Sequence, residues 1–220
     1  MTGRTVFEEE MAQLKNDIVL IADTVSVQLK EIWSALYRED EARLFELIEY
    51  DENVNELELE VNEKATLLIA KQQPVASDLR KILAGLRITN DLERIGDLAV
   101  DIAKAGMRIE TVSKTYRNEL AVLFEEVSAM LEYTRSAYVE SDISQANHAA
   151  DKDDEIDSRY AAYIRSLFQE SSVNNADLSL ESLMQYAFIA RFLERIADYC
   201  TNISESIVYE VEGMQLDLNE

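Results

Sequence analysis

Acidic side chains recur in this chain at a spacing that aims them in one direction. In the stretch LRITNDLERIGDLAVDIAK, residues 86–104, Glu93, Asp97 and Asp101 stand four apart, one helical turn from each other. Asp51 and Asn55 repeat the spacing on the element before it. The device returns later as Asp153 with Asp157 and as Glu194 with Asp198. Like charges at i, i+4 repel mildly on a helix surface. Two unit charges 4 Å apart interact by roughly 4 kcal/mol at an effective dielectric near 20. A clustered set therefore requires a cation, protons or basic neighbours. All-oxygen ligands suit magnesium, calcium, manganese or iron better than copper or zinc. The other reading is that these acids form exposed ion pairs with Arg94, Arg87 or Arg195.

Other chemistries have little material. His148 is the single histidine and reads as a surface residue, so a histidine-rich zinc or di-iron site is not expected. Cys200 is the single cysteine, which excludes an intramolecular disulfide and points to a reducing compartment. There is no glycine-rich phosphate loop and no nucleophile elbow. The formal net charge of −23 argues against nucleic acid and against an anionic membrane surface. The opening MTGRTVFEEEMAQ has no apolar core and turns acidic at once, and no run of 18 apolar residues occurs. A soluble cytoplasmic protein, with no membrane insertion, is expected.

The elements that must position the acids are long helices. One proline and five glycines in 220 residues leave few turns. Met11, Leu14, Ile18, Ile21, Val25, Leu29, Ile32 and Leu36 recur at three and four, which predicts a helix over about 6–37, with Trp33 in its core. A second, over about 40–72, is lined by Leu44, Leu47, Val54, Val61, Ala65 and Leu68, with Asp51 and Glu58 on the same stripe. Pro74 ends it. The third starts at Ser77 or a neighbour, carries Ile88, Leu92, Ile95, Ala99 and Ile102, and fades near Gly106. A fourth is expected over about 118–139, a fifth from the Ser141-Asp142 cap to about 170, a loop at 171–175, and a sixth over about 177–212. Helices of 22 to 35 residues would be roughly 33 to 50 Å long and suit antiparallel bundles.

The chain repeats. Leu92-Glu93-Arg94-Ile95-Gly96-Asp97 matches Leu193-Glu194-Arg195-Ile196-Ala197-Asp198 at an offset of 101, and the segment at 51–55 matches that at 153–157 at an offset of 102. A duplicated three-helix unit follows, with units at 1–112 and 113–220. The copies differ. Asn202 stands where the first has Asp101, and Asn55 where the second has Asp157, so each site loses ligand charge at a different corner.

LLIAKQQPVASDLRKILAGLRITNDLERIGDLAVDIAK, residues 67–104, resembles the signature region of the PhoU family. The likeness extends to Phe7-Glu8, to Asp51-x-x-Val54-Asn55, to Asp153-x-x-Ile156-Asp157 and to Leu193-Glu194-Arg195-Ile196-x-Asp198. It implies an all-α fold of two tandem three-helix bundles related by pseudo-two-fold symmetry. It implies metal motifs on Asp51 with Asn55, Glu93 with Asp97, Asp153 with Asp157, and Glu194 with Asp198. It further implies a homodimer without enzymatic activity. The expected partners are a phosphate ABC transporter ATPase and a sensor histidine kinase, and the expected role is to repress the phosphate-starvation response when phosphate is plentiful. The second half lacks the Pro-Val-Ala and Asp-Leu-Arg run of the first.

Overall fold

The computed structural model describes residues 3–49, 52–171 and 178–213. The expected stripes fold as helices, with the apolar line of each turned inward. The elements are α1 (Gly3–Arg38), α2 (Glu41–Glu49), α3 (Glu52–Gln72), α4 (Ser77–Gly106), α5 (Lys114–Glu140), α6 (Ile143–Ala150), α7 (Asp153–Ser171) and α8 (Leu180–Glu212). The second expected helix is seen as α2 and α3. Asp51, one of the expected ligands, and residues 172–175 of the expected loop lie outside the described residues.

Three boundaries differ from the sequence reading. The fifth helix breaks at Asp151 and Lys152, whose amides fall back on the carbonyls of Asn147 and Ala149. The chain restarts as α7, whose first turn holds Asp153, Asp154 and Glu155, acids suited to the positive end of a helix. The fourth helix begins at Lys114 rather than near 118, because the Ser113 hydroxyl accepts from the Tyr116 amide and Tyr116 is buried. The sixth begins at Leu180, capped by Ser179, whose hydroxyl accepts from the Ser182 amide. The Asp142 cap is present: its carboxylate accepts from the amides of Ser144 at 2.8 Å and Gln145 at 3.2 Å.

Cross-helix contacts fix the directions. Asp17 meets Lys64 and Glu10 meets Gln72, so α1 and α3 run antiparallel. Glu126 meets Arg159 and Glu119 meets Ser166, which does the same for α5 and α7. Between the halves, α4 and α8 make the most extensive packing. Arg80 bonds the Glu210 carbonyl and Thr111 bonds Ser182, so these helices are antiparallel too. On the far side, α1 and α5 are joined by Asp23–Arg135 and by the rings of Trp33 and Phe124, stacked at 4.6 Å. The result is two bundles, α1–α4 and α5–α8, each of two long helices and a pair of shorter ones (α2 with α3, α6 with α7) in the place of the third, sharing one apolar core that runs through both. Among the described residues no helix is long and apolar enough to cross a membrane.

Candidate metal centre

Three carboxylates converge where α7 meets α8. One oxygen each from Asp157, Glu194 and Asp198 lies within 4.8 Å of the others. Glu194 and Asp198 are one turn apart on α8, and Asp157 arrives from the second turn of α7. The first-turn residue Asp153 adjoins them. Glu194 is buried, Asp198 and Asp153 are half-buried and Asp157 is exposed, so the group forms a shallow well open on one side.

The local chemistry is that of carboxylates held together against their repulsion. Burial, then Asp198, pushes the Glu194 carboxyl up to about 7, against the opposing charge of Arg191. Burial, then Asp198, Asp157 and Asp154, takes Asp153 to about 6. Asp198 is raised by burial and by Asp157. Arg191 donates to one oxygen of Glu194 and lies over the Tyr160 ring, which ties α8 to α7 beside the well. The other oxygen of Glu194 and Oδ1 of Asp153 are buried with no hydrogen-bond partner among the described residues.

These two orphaned acceptors test whether an ion fits. A buried acceptor left unmade costs about 1–3 kcal/mol, more when charged. A cation in the well, with Asp153 beside it, would partner the Glu194 oxygen and relieve the repulsion. Calcium takes oxygens at about 2.3–2.6 Å, so ligands of a single ion can stand up to about twice that apart. The three oxygens, all within 4.8 Å of one another, fall inside that span. The donor set is carboxylate throughout, which selects a hard cation. The single histidine, His148, is exposed on α6 with its ring edge-on to Tyr133.

The first half is arranged differently. Arg94 lies between Glu93 and Asp97, with Nε 3.4 Å from the first and Nη1 3.2 Å from the second. Lys104 approaches Asp101 at 3.7 Å. Asn55 is exposed in the first turn of α3. Among the described residues, then, the structure brings Asp157, Glu194 and Asp198 together with Asp153 beside them. It sets Glu93, Asp97 and Asp101 against basic residues of their own helix. Sequence reasoning missed Arg191, which anchors the well from one turn upstream. It also missed Asp91, whose place on the line Ala84, Ile88, Ile95, Leu98, Ile102 is a readable sign of a partly buried acid.

The comparisons with known proteins follow this architecture. The PhoU domain matches twice, over residues 18–106 and 120–207. The chain belongs to the PhoU domain family. The phosphate-specific transport system accessory protein PhoU homolog of Clostridium acetobutylicum is 33% identical over 219 residues, 99% of each chain. The PhoU accessory protein of Escherichia coli is 30% identical over 210 residues, 94% of this chain and 86% of that one. Among solved structures, the phosphate transport system regulatory protein PhoU of Streptococcus pneumoniae superposes with a TM-score of 0.88 at 27% identity, covering 96% of this chain and 99% of that one. PhoU of Pseudomonas aeruginosa gives 0.89 at 27% identity over 94% and 100%. The two family matches fall one on each bundle, in keeping with the tandem PhoU fold.

Proposed function

We propose that this PhoU-family chain is a cytoplasmic accessory regulator of phosphate uptake. In this reading it is a metal-binding adaptor, not an enzyme, and acts as a homodimer between a phosphate ABC transporter ATPase and a sensor histidine kinase. It represses the starvation response when phosphate is plentiful. Relatives named as accessory or regulatory proteins of phosphate transport support the role over nearly the whole chain. One observation carries the metal: the well of Asp157, Glu194 and Asp198, in which one Glu194 oxygen is buried and, among the described residues, unpartnered. Glu194, Asp198 and Asp157 would hold the ion. When bound, the ion supplies positive charge that offsets the local repulsion. Arg191 fixes the Glu194 carboxylate toward it, and the first turn of α7 presents Asp157. In the first bundle, Glu93, Asp97 and Asp101 with Asp51 and Asn55 are proposed as a second, weaker site that competes with Arg94 and Lys104. The acidic surface, net −23 over the chain, suits docking to basic faces of both partners.

Affinity capture of the chain from phosphate-replete cells, with elemental analysis of the same eluate, tests the reading. The transporter ATPase and the kinase are expected with the protein, together with bound manganese, magnesium, calcium or iron. In a deletion strain alkaline phosphatase should become insensitive to phosphate. Normal repression in that strain would overturn the regulatory role, and a metal-free eluate would overturn the cofactor.

A further inference from the structure

At one end of the molecule two lysines line a single cavity in an otherwise acidic chain. There α1, α4, α5 and α8, from both bundles, enclose a cavity of about 210 Å3. Its polar lining is Lys15, Lys81, Tyr138, Ser141 and Glu210, against apolar walls from α1. A water needs roughly 10–15 Å3 of such space, so an ion of five heavy atoms is accommodated. The helices α5 and α8 end here, and their carbonyl ends attract cations. Two cations answer that attraction directly. Arg80 Nε donates to the Glu210 carbonyl at 3.2 Å. Lys15 Nζ donates to Ser141 Oγ at 3.1 Å and sits 5.3 Å from the centre of the Tyr138 ring.

Two groups remain. The Glu210 side chain is buried, 8% exposed. Burial raises its pKa while Lys15 and Lys81 oppose the rise, so both ammonium groups act on it across the cavity. Among the described residues neither Lys81 nor the Glu210 carboxylate makes a hydrogen bond or an ion pair with a side chain. A buried carboxyl and a lysine that feel each other without touching leave the space between them to a ligand. The lining dictates what that ligand offers. Ammonium groups only donate, and an ionised carboxylate only accepts. A guest that satisfies both carries several anionic oxygens and one hydroxyl proton.

We infer that the Lys15–Lys81–Glu210 cavity is a binding site for a protonated oxyanion of the hydrogenphosphate class. The lysines take its charged oxygens, and the Glu210 carboxylate accepts its P–OH proton. Sulfate is unprotonated at neutral pH, sets an oxygen against Glu210 and is rejected. The site is separate from the carboxylate well: the twelve residues from Asp198 to Glu210 span about 18 Å along α8.

Equilibrium dialysis of the full chain, stripped of metal with a chelator, against radiolabelled inorganic phosphate at pH 7 tests this, with unlabelled sulfate as competitor at matched ionic strength. The chain should bind one phosphate, and sulfate should compete at least about tenfold less well, the scale of one charged hydrogen bond. Lys81→Gln, at an exposed position, should weaken phosphate by about tenfold or more. Glu210→Gln, checked for fold by circular dichroism, should let sulfate compete nearly as well as phosphate, because the amide can donate. Absence of phosphate binding, equal competition by sulfate in the parent chain, or unchanged affinity in Lys81→Gln would each overturn the inference. If Glu210→Gln fails to fold, the sulfate comparison and Lys81→Gln decide it. None of these outcomes bears on metal content or partner capture, so this site and the proposed function fail independently.

Discussion

Asp91 shows how much one carboxyl can reveal. It lines an open groove between α4 and α8 with Arg87, Asn90, Asn202 and Glu205. Burial first, then Glu205, raises it to about 7 from an ordinary 3.8, while Arg87, seated over the Tyr209 ring, works against the rise. The folded chain thus holds this proton more tightly than the unfolded chain does. Its contribution to stability is intact below pH 4 and is lost as pH rises toward 7. Thermal melts should therefore show Asp91→Asn equal to the parent at pH 4 and more stable at pH 8; an equal difference at both pH values would mean that the carboxyl is already ionised in the fold. The carboxylate well makes a second residue-scale prediction. A ligand at 100 times its Kd stabilises a fold by about 2.7 kcal/mol. Added manganese should raise the melting temperature of the parent, and Asp198→Asn should abolish most of that rise. Asp97→Asn should abolish less, because Asp97 is already held by Arg94.

The helices explain which substitutions an element tolerates. Gly96 is buried in α4, and a Cβ there would meet Val54 Cγ1 at 3.4 Å, an ordinary contact. The second repeat already carries Ala197 at the matching place, fully buried. Gly96→Ala should stabilise the chain by about 0.5–1 kcal/mol in urea melts, the difference between glycine and alanine within a helix. Trp33 is the opposite case. Its ring lies flat on Phe124, joining α1 to α5, and Trp33→Ala should cost about 3–5 kcal/mol. Both positions were legible: Trp33 from its place beside an apolar stripe, Gly96 from the repeated motif. So were the stripes themselves, because three-and-four spacing reports burial directly; every residue from Leu14 to Leu36 on the first stripe is buried. The break at 151–152 was not legible. Ala146, Ala149 and Ile156 carry the apolar pattern across it, and no proline or glycine marks it. The site was half legible. Spacing along one helix pairs Glu194 with Asp198. The repeat at offset 102 already offers Asp157 as a partner, but only the approach of α7 sets its oxygen beside theirs, and only side-chain reach decides that Arg94 occupies the acids of the first bundle.

At the scale of the whole molecule, the two repeats are not two beads. The sequence offered one apolar line on α4, Ile88 to Ile102, sufficient for a three-helix unit. The structure buries more: Ala84, Gly85, Thr89, Leu98, Val100, Ala103 and Ala105 are also out of solvent. A helix buried on most of its circumference is the centre of a larger core, and α4 shares that position with α8. Cutting at the connection between α4 and α5 would strip α8 from α4 and α5 from α1, exposing contiguous apolar surface of the kind that drives association. Fragments 1–112 and 113–220, expressed separately, should therefore be aggregated or self-paired in size-exclusion chromatography and lack a sharp thermal transition. Co-expressed, they should elute as a one-to-one complex with a cooperative melt, because the surfaces lost by the cut are complementary. A 1–112 fragment that is monomeric and melts cooperatively would show that the first bundle is complete without the second. The ion pairs Asp23–Arg135 and Lys30–Glu132 are half-exposed and contribute little to that seam, so high salt should leave the reconstituted complex intact. Dissociation by salt would assign the join to charge and not to the buried faces of α4 and α8.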